Sequence, residues 1–144
     1  MADYFTNFSV IVPLPDEPAQ VYAIELATQA GAGNLGDELP ADFPASLTDV
    51  IEDWVFDTDA ESSEGKWGLW LHSSCGGIDA VCAFIQHLLQ KFSPAGCVSF
   101  EWSNDCSKPR VDAYGGGAAI ITVRKIKTMT TVEWVCKHTP TRAL

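Results

Sequence analysis

Between Gly77 and Ser93 the apolar residues Val81, Phe84, Ile85, Leu88 and Phe92 recur at three- and four-residue intervals, with Gln86, His87, Gln90 and Lys91 outside the stripe. This spacing predicts a helix over Ile78 to Phe92 with one apolar face. A helix with a single apolar stripe needs a flat apolar partner. The flanking segments supply one: Lys66 to Ser73 reads as a strand, and Cys97 to Ser103 alternates, with Val98, Phe100 and Trp102 on one face and Ser99 and Glu101 on the other. The middle of the chain therefore reads as strand, helix, strand, with the turns at Ser74-Cys75-Gly76-Gly77 and Ser93-Pro94-Ala95-Gly96.

The N-terminal half extends this order. Tyr4 to Val12, rich in β-branched and aromatic residues, reads as a first strand stopped by Pro13. A helix follows, capped by Asp16, with Glu17 and Pro18 in its first turn, Val21, Ile24 and Ala27 on one face, and Gly31 at its end. Ala32 to Ser46 has no steady period and reads as a loop with at most one short turn. Val50 to Asp59 reads as a strand with Trp54 and Phe56 on one face and Asp53, Asp57 and Asp59 on the other, followed by a turn over Ala60 to Gly65. The order β-α-β-β-α-β predicts an α+β fold of the ferredoxin-like, split βαβ kind, an antiparallel sheet with both helices on one face. Gly117 to Val123 adds a further C-terminal strand. The tail is ambiguous: Thr128 to Val135 has strand composition, but Thr130-x-x-Glu133 is a capping-box spacing that favours a short terminal helix with Val132, Val135 and Cys136 on one side. At 144 residues, with five tryptophans, the chain is expected to form one domain, 1–144, around one core.

Charge is distributed very unevenly. Residues 1–65 contain fourteen carboxylates and no lysine or arginine, whereas residues 66–144 hold all nine Lys/Arg and only five of the nineteen acids. An acidic lobe repels nucleic-acid phosphates and anionic membranes and attracts basic proteins, including the grooves with which they hold nucleic acid. Direct nucleic-acid binding and membrane binding are thus disfavoured. The start of the chain lacks the positive segment of a signal peptide, no apolar run approaches the ~20 residues that span a bilayer, and five cysteines without a Cys-x-x-Cys pair fit reduced thiols. The expectation is a cytoplasmic protein.

In the C-terminal half, Cys106-Ser107-Lys108-Pro109-Arg110-Val111 is followed by Tyr114-Gly115-Gly116-Gly117-Ala118 and Ile121-Thr122. With the strand Gly68-Leu69-Trp70-Leu71 and the helix Val81 to Phe92, this joined motif resembles a family of small, acidic, uncharacterised bacterial and mobile-element proteins. The likeness covers the chain from Trp67 on and implies these elements; it carries no activity. The chain departs from the family pattern at Ser74 and Cys75, where acids are expected, and at Arg124-Lys125, which replace a more acidic stretch.

Three functional readings follow. In the first, Asp37, Glu38, Asp42, Asp49, Asp53, Asp57, Asp59 and Glu61, with Trp70 on an open sheet face, bind a basic protein. Acids two apart on a strand lie ~6.5–7 Å apart, and a sheet edge joined to the Asp37 to Asp49 loop would imitate a phosphate track. The partner would be a nuclease or CRISPR effector of a host, and the chain a non-enzymatic inhibitor carried by a phage or plasmid. The plainer reading of the same acids is a solvated surface, although solvated faces ordinarily mix both signs. In the second, Lys108 and Arg110 with Gly115, Gly116 and Gly117 form an anion-binding loop, or Cys75 at a helix start works with His72 as a nucleophile. The glycine spacing is not that of a Walker A loop, and no third group is evident beside Cys75 and His72. Cys97, Cys106, His72 and Cys75 lack zinc-ligand spacing, so no metal or cofactor is expected. In the third, the open sheet face or an edge strand joins two copies as a homodimer. Cys82 is assigned to the core, and His87 and His138 to exposed helix positions.

Overall fold

The structure, a computed structural model, describes residues 2–140. In chain order it contains β1 (Tyr4–Leu14), α1 (Glu17–Asn34), α2 (Ala45–Thr48), a 3₁₀ turn (Ile51–Asp53), β2 (Asp57–Ser63), β3 (Lys66–Ser73), α3 (Ile78–Phe92), β4 (Val98–Cys106), β5 (Gly115–Ile121), β6 (Ile126–Thr130) and α4 (Thr131–His138). The fold is α+β. Its six strands form one antiparallel sheet in the order β2-β3-β1-β4-β5-β6. That order differs from a simple split β-α-β-β-α-β by two added strands, where the sequence predicts one, and by the helical turns between α1 and β2.

Alternation explains the core. Phe8, Val12 and Leu14 of β1, Leu69 and Leu71 of β3, Val98 and Phe100 of β4, and Ala119 and Ile121 of β5 are all buried on one face. The α3 stripe closes over that face, with Val81, Phe84, Ile85 and Leu88 fully buried. Its predicted limits, Ile78 and Phe92, are those observed. Gln86 and Gln90, on the outer side, donate to the carbonyls of Thr122 and Val123 at 3.0 and 2.9 Å and tie the helix to the end of β5.

Asp16 caps α1 as predicted, its Oδ1 accepting from the Ala19 amide at 2.9 Å. The buried face differs, however: Ala19, Ala23, Leu26, Ala27 and Ala30 pack inward and Val21 is exposed. Alanines let the helix approach the sheet closely, and that contact, not side-chain size, selects the face. The same packing carries α1 past Gly31 to Asn34, whose Nδ2 donates to the Ile51 and Glu52 carbonyls. Tertiary contacts override the weak helix propensity of glycine here.

Pro13 does not end β1. The β1–β4 pairing stops at Phe8, so beyond it β1 is paired only to β3, and Pro13 stands opposite Gly68. Proline has no N–H to offer, and it is tolerated where one side of a strand is free. Gln20, buried to 6% exposure, donates from Nε2 to the Gly68 carbonyl at 2.8 Å.

The largest correction concerns Val50 to Asp59. It is not one strand: a 3₁₀ turn at Ile51–Asp53 leads into β2, which begins only at Asp57 and runs through Ser63. Trp54 and Phe56 are buried as predicted, with ring centroids 4.9 Å apart and Trp54 5.0 Å from Phe84. Alternation thus came from an irregular segment plugging the core. The acidic, serine-rich stretch expected to be a turn is the strand itself, an edge strand, where polar residues suit an open rim. Only Glu64 and Gly65, both at positive φ, make the turn. At the C-terminus the favoured helix is present, and of the alternative strand over Thr128 to Val135 only the first three residues are strand. Residues 126–130 are strand, and Thr130 then caps α4, its Oγ1 accepting from the Glu133 amide at 3.2 Å.

Candidate functional site

Because α1 and α3 cover the face built by Leu69 and Leu71, residues in between point the other way. Trp70 and His72 therefore stand on the helix-free face. Register places Ser9 beside His72 and Ile11 beside Trp70 on β1, and Asp57 beside His72, Asp59 beside Trp70 and Glu61 beside Gly68 on β2. The rings of Trp70 and His72 stack with centroids 3.8 Å apart. Trp70 Nε1 donates to Ser9 Oγ at 2.8 Å, and His72 Nε2 lies 2.7 Å from Asp59 Oδ2. Held at both ends, the aromatic pair forms a fixed platform bordered by the acid row of the edge strand.

The predicted acidic surface does not stay in one piece. Asp57, Asp59 and Glu61 share the helix-free face, but Asp37, Glu38, Asp42 and Asp49 are exposed around α2 and the loop before it, on the helical layer. Leu47, completely buried, anchors α2 there, and α2 packs against α3. The sheet separates the two groups, so a single track joining β2 to the Asp37 to Asp49 loop does not form. Asp53 is half-buried and directed inward: its Oδ2 accepts from the Ala80 amide at 3.1 Å, in the first turn of α3.

The second set of candidates is rearranged as well. Gly115, Gly116 and Gly117 are not a loop but the start of β5, opposite Asn104, Ser103 and Trp102. The Gly116 amide is already engaged, donating to Thr131 Oγ1 at 3.0 Å. Lys108 and Arg110 are exposed on the loop between β4 and β5, which Tyr114 braces through its hydroxyl to the Lys108 carbonyl at 3.2 Å. Neither cation forms an ion pair among the described residues. Cys75 is exposed; its amide donates to Ser73 Oγ at 2.8 Å, while the His72 ring is committed to Asp59 and Trp70. No hydrogen bond joins Cys75 to His72 among the described residues, and the Ala80 amide at the start of α3 is taken by the Asp53 carboxylate. Likewise, no three His, Cys, Asp or Glu side chains among the described residues are grouped to hold a metal ion.

His87 is not an exposed helix position. It is half-buried between α1 and α3, with Nε2 2.7 Å from the Tyr22 hydroxyl and the rings stacked at 6.0 Å. Burial, helped by Lys91, pulls the His87 imidazole below its ordinary pKa. Burial and the charge of Asp42 push the Tyr22 phenol up. Lys91 Nζ sits 4.7 Å from the centre of the Tyr22 ring. Sequence reasoning had no signal for this cluster, in which Tyr22 and His87 are 65 residues apart in the chain. Cys82, by contrast, is buried as expected, and burial followed by the charge of Asp79 pushes its thiol up to about 12.

No family model, curated protein or solved structure matches the chain. No helix among the described residues is long and apolar enough to cross a membrane.

Proposed function

We propose that this chain is an acidic, non-enzymatic interaction protein that uses its helix-free sheet face to occupy a basic, nucleic-acid-binding surface of another protein. The observation that carries this reading is the row Asp57, Asp59 and Glu61 beside Trp70, at the end of 65 residues without a lysine or arginine. Edge-strand acids at ~6.5–7 Å spacing offer a repeated negative charge, and an indole on an open face is a common interface anchor. Asp37, Glu38, Asp42 and Asp49 add long-range attraction from the other side, and Asp53 belongs to the fold. A nuclease or CRISPR effector of a host, inhibited by a phage- or plasmid-borne chain, is the partner class that this chemistry fits best. We read the first four strands, ordered 2-3-1-4, as a ferredoxin-like unit that β5 and β6 extend.

The test is capture of the tagged protein's partners from host lysate at low and high salt, alongside an Asp57→Lys/Asp59→Lys/Glu61→Lys variant. A nucleic-acid-binding protein retained at low salt, released at high salt and lost with the variant supports the reading, since exposed charges are screened over about 8 Å at physiological salt. Recovery that ignores both salt and the variant overturns it.

A further inference from the structure

At the start of β1 and the end of β4, where α4 packs against β5 and β6, the structure opens a groove of about 600 Å³. Its walls include Tyr4, Phe5 and Tyr114, exposed by 63%, 37% and 56%, and the apolar side of α4 contributes Val132 and Val135. None of the α4 residues is buried, so the helix borders this groove without filling it. The charged residues lining the groove are two, Asp105 and Asp112, and both are acids. Lys108 and Arg110, on the same loop as Asp112, do not line it. Asp105 also faces the helix-free side of the sheet, where its register partner Phe5 stands and Asn7 Nδ2 approaches its Oδ2 at 3.4 Å.

Aromatic walls with two carboxylates among the lining residues suit a guanidinium. Its plane stacks on ring faces, its fork of donors matches a carboxylate, and it is more weakly hydrated than an ammonium. The volume lies within the range of ligand-binding clefts and exceeds what one side chain needs. We propose that the groove receives a short arginine-bearing segment of the basic partner. This inference rests on the reading of the chain as an acidic interaction protein and identifies a second contact, continuous with the helix-free face through Phe5 and Asp105.

The experiment is an amide-resolved NMR titration of the full chain with the peptide Ac-Gly-Arg-Gly-NH₂ and its uncharged citrulline analogue. Arginine peptide is expected to shift the amides of Tyr4, Phe5, Tyr114, Val132 and Val135. The citrulline peptide should bind about tenfold more weakly, the combined effect of one exposed cation–π contact and one exposed ion pair. Asp105→Asn/Asp112→Asn removes the ion pair and leaves the ring contact, so it should weaken the arginine peptide about threefold and leave the citrulline peptide unchanged, and asparagine keeps the positive φ of Asp112 accessible. Equal binding of the two peptides, shifts located elsewhere, or no shifts at millimolar peptide overturns the inference. The β2 variant leaves the groove intact, so the two ideas fail separately. Peptide binding without partner capture dismisses the acid row, and capture without peptide binding dismisses the groove.

Discussion

Gly117 and Trp102 face each other across the β4–β5 ladder, and the Trp102 indole fills the space that a β-carbon on Gly117 would occupy. The same β-carbon would meet the Met129 carbonyl oxygen from β6. A glycine under an aromatic ring keeps three strands in close register while the ring covers the gap. Gly117→Ala is therefore expected to lower stability by about 1–3 kcal/mol through overpacking. Urea unfolding would report a lower midpoint with an unchanged slope; an unchanged midpoint would mean that the ring moves aside freely.

Asp53 separates from the other acids by what it touches. Gly77, at φ +91°, begins α3 without a side chain to cap it, and Asp53 reaches the Ala80 amide from outside the helix. Asp53→Ala should cost about 1 kcal/mol, the ordinary value of a lost cap. Asp57→Ala, on an exposed edge, should stay within about 0.5 kcal/mol. Equal effects in a denaturant melt would remove the structural role given to Asp53.

The Tyr22–His87 contact predicts a pH dependence whose sign follows from burial. The folded pKa of His87 is below its unfolded value near 6.5, so the unfolded chain binds the proton more readily. The contribution is complete above that value and is lost as pH falls from about 6.5 through the folded pKa. Thermal melts at about pH 7.5 and 5.5 should show a smaller acid-side loss in His87→Gln than in the parent chain. Parallel losses would show that protonation elsewhere governs this range.

Thiol chemistry offers a direct check on burial. With its pKa pushed up to about 12, Cys82 exposes almost no thiolate near neutral pH, whereas Cys75, Cys97 and Cys136 are exposed. Alkylation followed by peptide mass analysis should label those three first, with Cys82 labelled only when the chain is unfolded. Early labelling of Cys82 would place α3 differently.

Legibility followed the range of the interactions involved. The α3 stripe, the Asp16 cap and the alternation of β4 depend on neighbours within a few residues, and each is found where the sequence places it. Trp54 and Phe56 share one side as alternation predicts, and that side is buried, but the segment holding them is no strand; alternation reports which side chains go together and not which hydrogen bonds the backbone makes. The functional candidates fared according to the same rule. That Trp67 and Trp70 take opposite faces follows from strand alternation, but which of them is left on the helix-free face is decided by packing, and the use of the three glycines depends on Trp102 and Thr131, contacts that no local pattern announces.

By itself the sequence determined the α+β class, the main helix, the inward residues and the concentration of acid before Lys66, because composition and periodicity are properties of the chain alone. Tertiary structure alone decided that Asp57–Ser63 becomes an edge strand, that the acids divide between two faces of the sheet, and that Asp53 turns inward to α3. Those outcomes depend on which surfaces meet. A carboxylate has the same charge wherever the chain carries it, but only packing determines whether it faces a partner, a helix end or water.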